Sequence, residues 1–401
     1  FQSLTMTVDS YNNGLAHNML IYGRPQDGKT MWIPWDVDHA FYSSPSTSIF
    51  GQANGDFADV VQIPANRRAY CGHLRDLCHT GFDPAYIAGW VTHFNDVGKM
   101  PIAAHYTQWI TNRRNYVLGQ LNSQHPAQTF RITTNSGNNF SIADSSVILR
   151  GKGWIDVKEI RLTSSGETLD VYWIDNNDWE VVVPLLVGAN AITLNAFDIG
   201  GAAVGSDRIT VTNTGSLEPA GETNLVVSEI MFHPADPTVA EITAGFIDGD
   251  LFEYLELENI GPVTVDLSGA IFTNGINFDF STGSISQLAP GGRVLIVRNQ
   301  VAFESRHGVG LPVTGEFQNE TGLANGGERL RLAGINGISI RDFSYDDKHP
   351  WPEDADGNGH SLVLIDPGSN PDHGEAGNWR LSSLPGGNAG GSDAHLFEGD
   401  P

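Results

Sequence analysis

The sequence predicts a multidomain, mainly β chain in which an α+β first part is followed by two β-sandwiches. Three observations carry that reading. With 401 residues the chain is long enough for two to four domains. Its 46 glycines and 20 prolines, set among Asn- and Asp-rich turns, punctuate short strands rather than long helices. Helical spacing is confined to the first third, and beyond about residue 128 the apolar runs are short and regularly spaced.

The first part, residues 1–122, is organised around Trp32-Ile33-Pro34-Trp35-Asp36-Val37-Asp38-His39-Ala40-Phe41. An apolar run stops there on two carboxylates spaced i, i+2, which an extended backbone points to one face. Asp36 and Asp38 read either as a solvated acidic turn or as a pair that needs a cation between its charges. Gly23 to Gly28 forms a turn before this run, and the Gly-, Ser- and Asp-rich stretch 43–63 reads as a loop over the carboxylates. Residues 66–77, 84–94 and 101–121 have helical spacing, the last with Ile102, Tyr106, Trp109, Ile110, Val117 and Leu121 on one stripe. His73, His79, His93 and His105 lack metal-ligand spacing and are expected to be half-buried packing residues. Cys71 and Cys78 lie about two turns apart, too far for a disulfide within a helix, so two buried free thiols are expected.

Three pieces in order, Val8-Asp9-Ser10-Tyr11, His17-Asn18-Met19-Leu20-Ile21-Tyr22 and the Gly28–Phe41 segment, resemble the C-terminal lobe of the spore-coat CotH-like atypical protein kinases. The Pro-Trp-Asp-x-Asp segment is the most specific of them. The resemblance implies a catalytic role for Asp9, and nucleotide and Mg²⁺ contacts for Asn18 and Asp36, with Asp38 beside them on the metal. That division fits phosphoryl transfer, which needs a carboxylate near the acceptor hydroxyl and Asp and Asn oxygens on Mg²⁺-ATP. The chain opens at Phe1 with no N-terminal lobe before Asp9. None of Lys29, Lys99, Lys152, Lys158 and Lys348 sits on a Val-Ala-Ile-Lys-like strand. By itself the chain is therefore expected not to be a competent kinase.

Helical period ends at Asn122-Ser123-Gln124-His125-Pro126. Seven short β runs over 128–213 suggest an immunoglobulin-like sandwich, and their last two resemble the bacterial immunoglobulin-like modules of secreted proteins. Asp175 to Asp178 reads as a hairpin turn. Residues 214–224 read as a linker and 225–388 as a second sandwich, with 389–401 an acidic, Gly-rich tail.

The order of motifs in 225–388 resembles the lamin-tail domain, an immunoglobulin-like module, with 234–252 a loop insertion. Those motifs run from Leu225-Val226-Val227-Ser228-Glu229-Ile230 through Tyr254-Leu255-Glu256-Leu257 and Leu323-Ala324-Asn325-Gly326-Gly327 to Asn378-Trp379-Arg380. Along 253–259 charged and apolar residues alternate, so Glu229, Glu253, Glu256 and Glu258 are expected on a solvated face. Asp354-Ala355-Asp356-Gly357-Asn358-Gly359 matches the opening of an EF-hand Ca²⁺ loop. Position twelve is Ile365, however, and the lamin-tail resemblance accounts for the segment as a turn.

The formal charge of −25 argues against nucleic acid as a partner and suits cation binding or a salty exterior. No run of 18 apolar residues is present, so the chain holds no transmembrane helix; a chain beginning within a domain would show no signal peptide. Two readings follow. One is a structural or binding unit of a secreted or cell-surface bacterial protein, with a protein or matrix component as its partner. The other is a Mg²⁺- and ATP-dependent kinase acting on Ser or Thr of a surface protein when its N-terminal lobe is present. Hydrolase chemistry finds no Gly-x-Ser-x-Gly or His-Glu-x-x-His pattern.

Overall fold

The computed structural model describes residues 2–6, 19–25, 30–34, 40–41, 43–50, 56–98 and 103–393. The chain is mainly β and multidomain. Two compact units divide it. One comprises Phe1–Asn138, Leu149–Val181 and Ile192–Ile209; the other comprises Asn139–Ile148, Val182–Ala191 and Thr210–Pro401.

In the first unit three helices run over Pro64–His79, Pro84–Gly98 and Ala103–Gln124. Pro64 opens the first, where a missing N–H costs nothing. The Asp83 carboxylate caps the second by accepting from the amides of Ala85 and Tyr86. Trp109, Ile110, Val117 and Leu121 of the expected stripe are buried with Cys71, Leu74 and Cys78 in one core, while Ile102 lies outside the described residues. Both cysteines are free thiols, and burial pushes Cys71 up to about 12 and Cys78 up to about 11.

Two expectations about this unit are corrected. Asp56–Gln62 is a helix inside the stretch read as loop. His73, His79, His93 and His105 are exposed, because each lies on the outer side of a helix whose other side meets the core.

Arg68, on the first helix, is buried and donates to the carbonyls of Trp154 and Asn176, both at 2.6 Å, of Val157 at 3.0 Å and of Gly153 at 3.4 Å. Its guanidinium lies 3.1 Å from the centre of the Trp173 ring. Strand pairs of this unit join Arg131–Ile132 to Gly151 and Lys152, Glu159–Leu162 to residues 194–197, and Tyr172–Trp173 to Trp179 and Glu180. The Asp175 carboxylate accepts from the amides of Asn177 and Asp178, so the expected turn is an Asx turn.

The second unit holds a six-stranded sheet in the spatial order 313–316, 293–297, 254–259, 225–231, 362–364, 379–381. A four-stranded sheet in the order 278–279, 271–274, 328–333, 339–345 packs on it through Leu255, Leu257, Ile296, Phe272, Leu330 and Phe343. The stretch read as a linker contains a strand, Leu217–Pro219, running parallel to Thr264–Asp266. Three residues are too few to show a period in sequence. The 234–252 insertion is closed by a helix, Val239–Thr243, whose N-terminus is a Thr238–Glu241 capping box.

Candidate functional site

The second unit concentrates its charge chemistry on the far face of the six-stranded sheet. Strands Leu225–Met231 and Tyr254–Asn259 pair antiparallel, and the register sets Glu229 directly opposite Glu256. Leu255 and Leu257 point into the inter-sheet core, so Tyr254, Glu256 and Glu258 point the other way. That other face is not solvated, as the sequence suggested. Glu229 is 2% exposed, Glu256 is 0% exposed and Glu258 is half-buried, while Glu253, just before the strand and on the side of Leu255, is 0% exposed as well. The cover comes from helix Gln300–His307, whose Phe303 packs on Met231, Tyr254, Leu295 and Val297, and from the stretch 385–393.

Buried carboxylates need a full set of donors, and these have one. Glu229 Oε1 accepts from Tyr254 Oη at 2.6 Å, Ser361 Oγ at 2.5 Å and the Asn388 amide at 2.9 Å. Glu256 accepts from Ser228 Oγ at 2.7 Å, from the Gly390 amide at 2.7 Å and from Arg293, which also binds Glu258. Glu253 accepts from the Leu323 amide at 2.8 Å and pairs with Arg298 at 3.2 Å. Gly387 has φ +77°, and a Cβ there would run into Tyr254 Oη and Glu229 Oε1, so the chain can cross the cluster only as glycine. Asp393 fastens the same stretch to Arg380 and Ser383. Residues 389–393 are thus docked on the sheet, where the sequence read the start of a tail.

Burial dominates the electrostatics. It pushes Glu253 up to about 8, and Glu256 up to about 7 with help from the charge of Glu229. Glu229 is raised by the same burial. Beside the cluster a cleft of about 410 Å³ is lined by Met231, Glu241, Phe252, Arg306, His307 and Gly386. Arg306 lies 3.5 Å from the centre of the Phe252 ring and pairs with Glu241, which it holds down to about 2. The His307 ring stacks on Phe303, and burial lowers it to about 4, so it is neutral at physiological pH. The cluster therefore holds loops to a sheet and titrates near neutrality.

Asp9, Asn18, Asp36 and Asp38 lie outside the described residues. The hairpin between them is described: Met19–Gly23 pairs antiparallel with Thr30–Pro34, Met19 opposite Pro34. Of the EF-hand-like set, Asp354 Oδ1 accepts from the Asn358 side-chain Nδ2 at 3.2 Å, whereas Asp356 turns to His233 at 2.5 Å. Gly357 has φ +76°, as a turn there requires. Among the described residues no three or more His, Cys, Asp and Glu gather as a metal-holding group. Sequence reasoning missed the pairing of Glu229 with Glu256. Its one signal was a glutamate at the inner position of two strands that also carry core leucines.

No family model and no curated protein matches the chain. Among solved structures it is similar to a DUF4876 family protein from Bacteroides thetaiotaomicron, at 10% identity over 59% of this chain and 87% of that one, TM-score 0.25. It is also similar to SGBP-B of a Bacteroides ovatus mixed-linkage glucan utilization locus, solved with a mixed-linkage heptasaccharide, at 16% identity over 51% and 40%, TM-score 0.15. The D00-D0 domain of Intimin matches at 11% identity over 54% and 96%, TM-score 0.15. With TM-scores this low, none of the three is a guide to the arrangement or activity of this chain. Among the described residues no helix is long and apolar enough to cross a membrane.

Proposed function

We propose that the chain is a binding and structural unit of a secreted or cell-surface bacterial protein, in which a CotH-kinase-like lobe precedes immunoglobulin-like and lamin-tail-like β modules. The observation that carries this reading is the direction of the carboxylates in the second unit. Glu229, Glu253 and Glu256 point inward and accept from amides of residues 323, 388 and 390, so they hold a shape. A module whose buried carboxyl groups clamp its own loops suits docking on a protein or matrix component more than turnover. The two stacked sheets and the motif order over 225–388 support the lamin-tail-like part.

The kinase reading is favoured by one feature, the Pro34-Trp35-Asp36-Val37-Asp38 segment that follows a described strand. In that reading Asp36, Asp38 and Asn18 hold Mg²⁺-ATP and Asp9 faces the acceptor. Calorimetric titration of Mg²⁺-ATP into the intact gene product and into its Asp36→Ala variant separates the two. A binding unit gives no saturable heat in either protein. Saturable heat that disappears in Asp36→Ala would establish the nucleotide site and overturn the structural reading.

A further inference from the structure

Strand Ser339–Tyr345 ends the four-stranded sheet of the second unit. It pairs on one side with Glu328–Ala333, and among the described residues no strand pairs with its other side. An edge strand offers a row of N–H and C=O groups to any extended chain that reaches it, and proteins that do not use such an edge cover it or blunt it.

Here the edge faces a cleft of about 420 Å³. One wall consists of the consecutive residues Ser339, Ile340, Arg341, Asp342 and Phe343. Successive side chains of a strand point to opposite faces, so a cleft lined by all five runs along the backbone edge rather than over either face. The opposite wall is residues 370–373 together with Glu222. Arg341 fixes the separation of the walls. Its buried guanidinium donates to the carbonyls of Leu225 at 3.0 Å and Glu222 at 2.8 Å, and to Asn370 Oδ1 at 2.6 Å. The cleft is thus a braced slot about 16 Å long beside a strand edge.

We propose that this edge takes up an extended basic peptide segment of a partner protein as an added strand. The inference rests on the reading of the chain as a binding unit and names the class of its partner. Charge selects the occupant. The slot sets Glu222, Asp342 and Asp372 against one guanidinium. Asp342 is neutralised by Arg329 and Arg331, whereas Glu222 and Asp372 are exposed and, among the described residues, in no ion pair. His373 adds no positive charge, since burial lowers it to about 4. Main-chain bonds to the edge would supply affinity, and Lys or Arg at alternate positions would meet the carboxylates of the rim. A second copy of a chain with formal charge −25 is repelled from the same slot.

The test uses the full chain and two labelled decapeptides, one alternating Lys and Thr, the other alternating Glu and Thr. Fluorescence anisotropy should show saturable binding of the Lys peptide alone, and bound peptide should slow hydrogen exchange of amides in 339–345. The double variant Glu222→Lys, Asp372→Lys removes an acceptor of the Gly374 amide and two charges that favour the Arg341 guanidinium, so its fold is checked by thermal melting. The milder double variant Glu222→Gln, Asp372→Asn, which should also weaken Lys-peptide binding, is measured beside it. The charge-reversed variant should bind the Lys peptide about tenfold more weakly and gain the Glu peptide. Absence of Lys-peptide binding, binding indifferent to the reversal, or protection elsewhere in the chain each overturns the proposal. So does a dimer, seen by sedimentation, that protects the same amides. Mg²⁺-ATP heat would overturn the parent reading without moving any of these results, so the two failures are distinguishable.

Discussion

The two units bury charge in different proportions. In the first, the deeply buried charged side chains among the described residues are two arginines and Asp76, which pairs with Lys158 at 2.9 Å. Arg68 and the fully buried Arg113 are surrounded by carbonyl oxygens, Arg113 binding those of Ser3, Pro45 and Thr47. In the second, Arg341 gathers the carbonyls of Leu225 and Glu222 in the same way, but the deeply buried charged groups also include glutamates, each meeting amides, hydroxyls or a guanidinium. The difference follows from what each architecture leaves unpaired. Loops passing beside helices present carbonyls, which a five-donor fork can gather. Loops crossing the outer face of a sheet present amides, which a carboxylate can gather. Both devices clamp loops, but only one titrates in the physiological range. Burial lowers Arg68 only to about 9 and Arg113 to about 10, whereas Glu256 and Glu253 rise to about 7 and about 8. The carboxyl groups of the second unit should therefore respond to pH in a range where these guanidiniums do not.

The largest effect expected from this contrast is at Arg68. Arg68→Met keeps much of the side-chain volume and leaves the carbonyls of Trp154, Asn176 and Val157 buried without their donor. Loss of about 4 kcal/mol is expected from groups stranded in this way. Urea unfolding of the full chain, with hydrogen exchange in 64–79 as the local report, measures it. A loss below about 1 kcal/mol would mean that water replaces the guanidinium, and the clamp would not be one.

The pH response comes next and sharpens the comparison. Glu253 and Glu256 have an ordinary value of 4.5 and folded values of about 8 and about 7. Between those limits the folded state holds protons that the unfolded state has released, so stability falls as pH rises. It is fully present below about pH 4.5 and lost as pH passes through about 7 and about 8. From about pH 6 to about pH 8 these carboxyl groups should cost the second unit about 2 kcal/mol, while protection in 64–79, where burial lowers His73 and the neighbouring His125, should not fall. Glu256→Gln, which keeps an acceptor oxygen but cannot ionise, should flatten the part of the response that falls near pH 7. Stability that rises over this range would show that Arg293 and Arg298 outweigh burial, and would erase the contrast.

How far the sequence reveals these arrangements depends on whether a feature is local. The helices over 64–79, 84–98 and 103–124 were readable from apolar spacing, and the turn at Asp175 from its Asx chemistry. The glutamate cluster was not. Alternation along 253–259 says that two faces differ, and the natural inference is that the charged one is wet. Whether it is wet depends on residues far away: Phe303 on a helix of eight residues, and Gly387 to Gly390 more than 125 positions beyond Glu256. A helix that short, capped by the Asn299 side chain, carries too few positions to show a period. The candidate phosphoryl-transfer residues were legible through a motif, and Asp9, Asn18, Asp36 and Asp38 lie outside the described residues.

The smallest expected effect tests whether burial, rather than pairing, is what makes the clamps work. Arg150 and Glu180 form a 3.1 Å pair in the first unit, but the Arg150 side chain is 62% exposed. Its chemistry is that of Arg298 with Glu253, a 3.2 Å pair whose carboxylate is 0% exposed. At the surface water already solvates both charges, salt screens them, and ordering two long side chains offsets what attraction remains. A double-mutant cycle on Arg150→Ala and Glu180→Ala should give a coupling below about 0.5 kcal/mol, falling further in salt. The same cycle at Arg298 and Glu253 should give several times more, because removing either partner strands the other, or the Leu323 amide, away from water. Equal couplings at the two sites would mean that distance alone sets the strength of these pairs, and the contrast between the two units would reduce to a difference in which residue types happen to be charged.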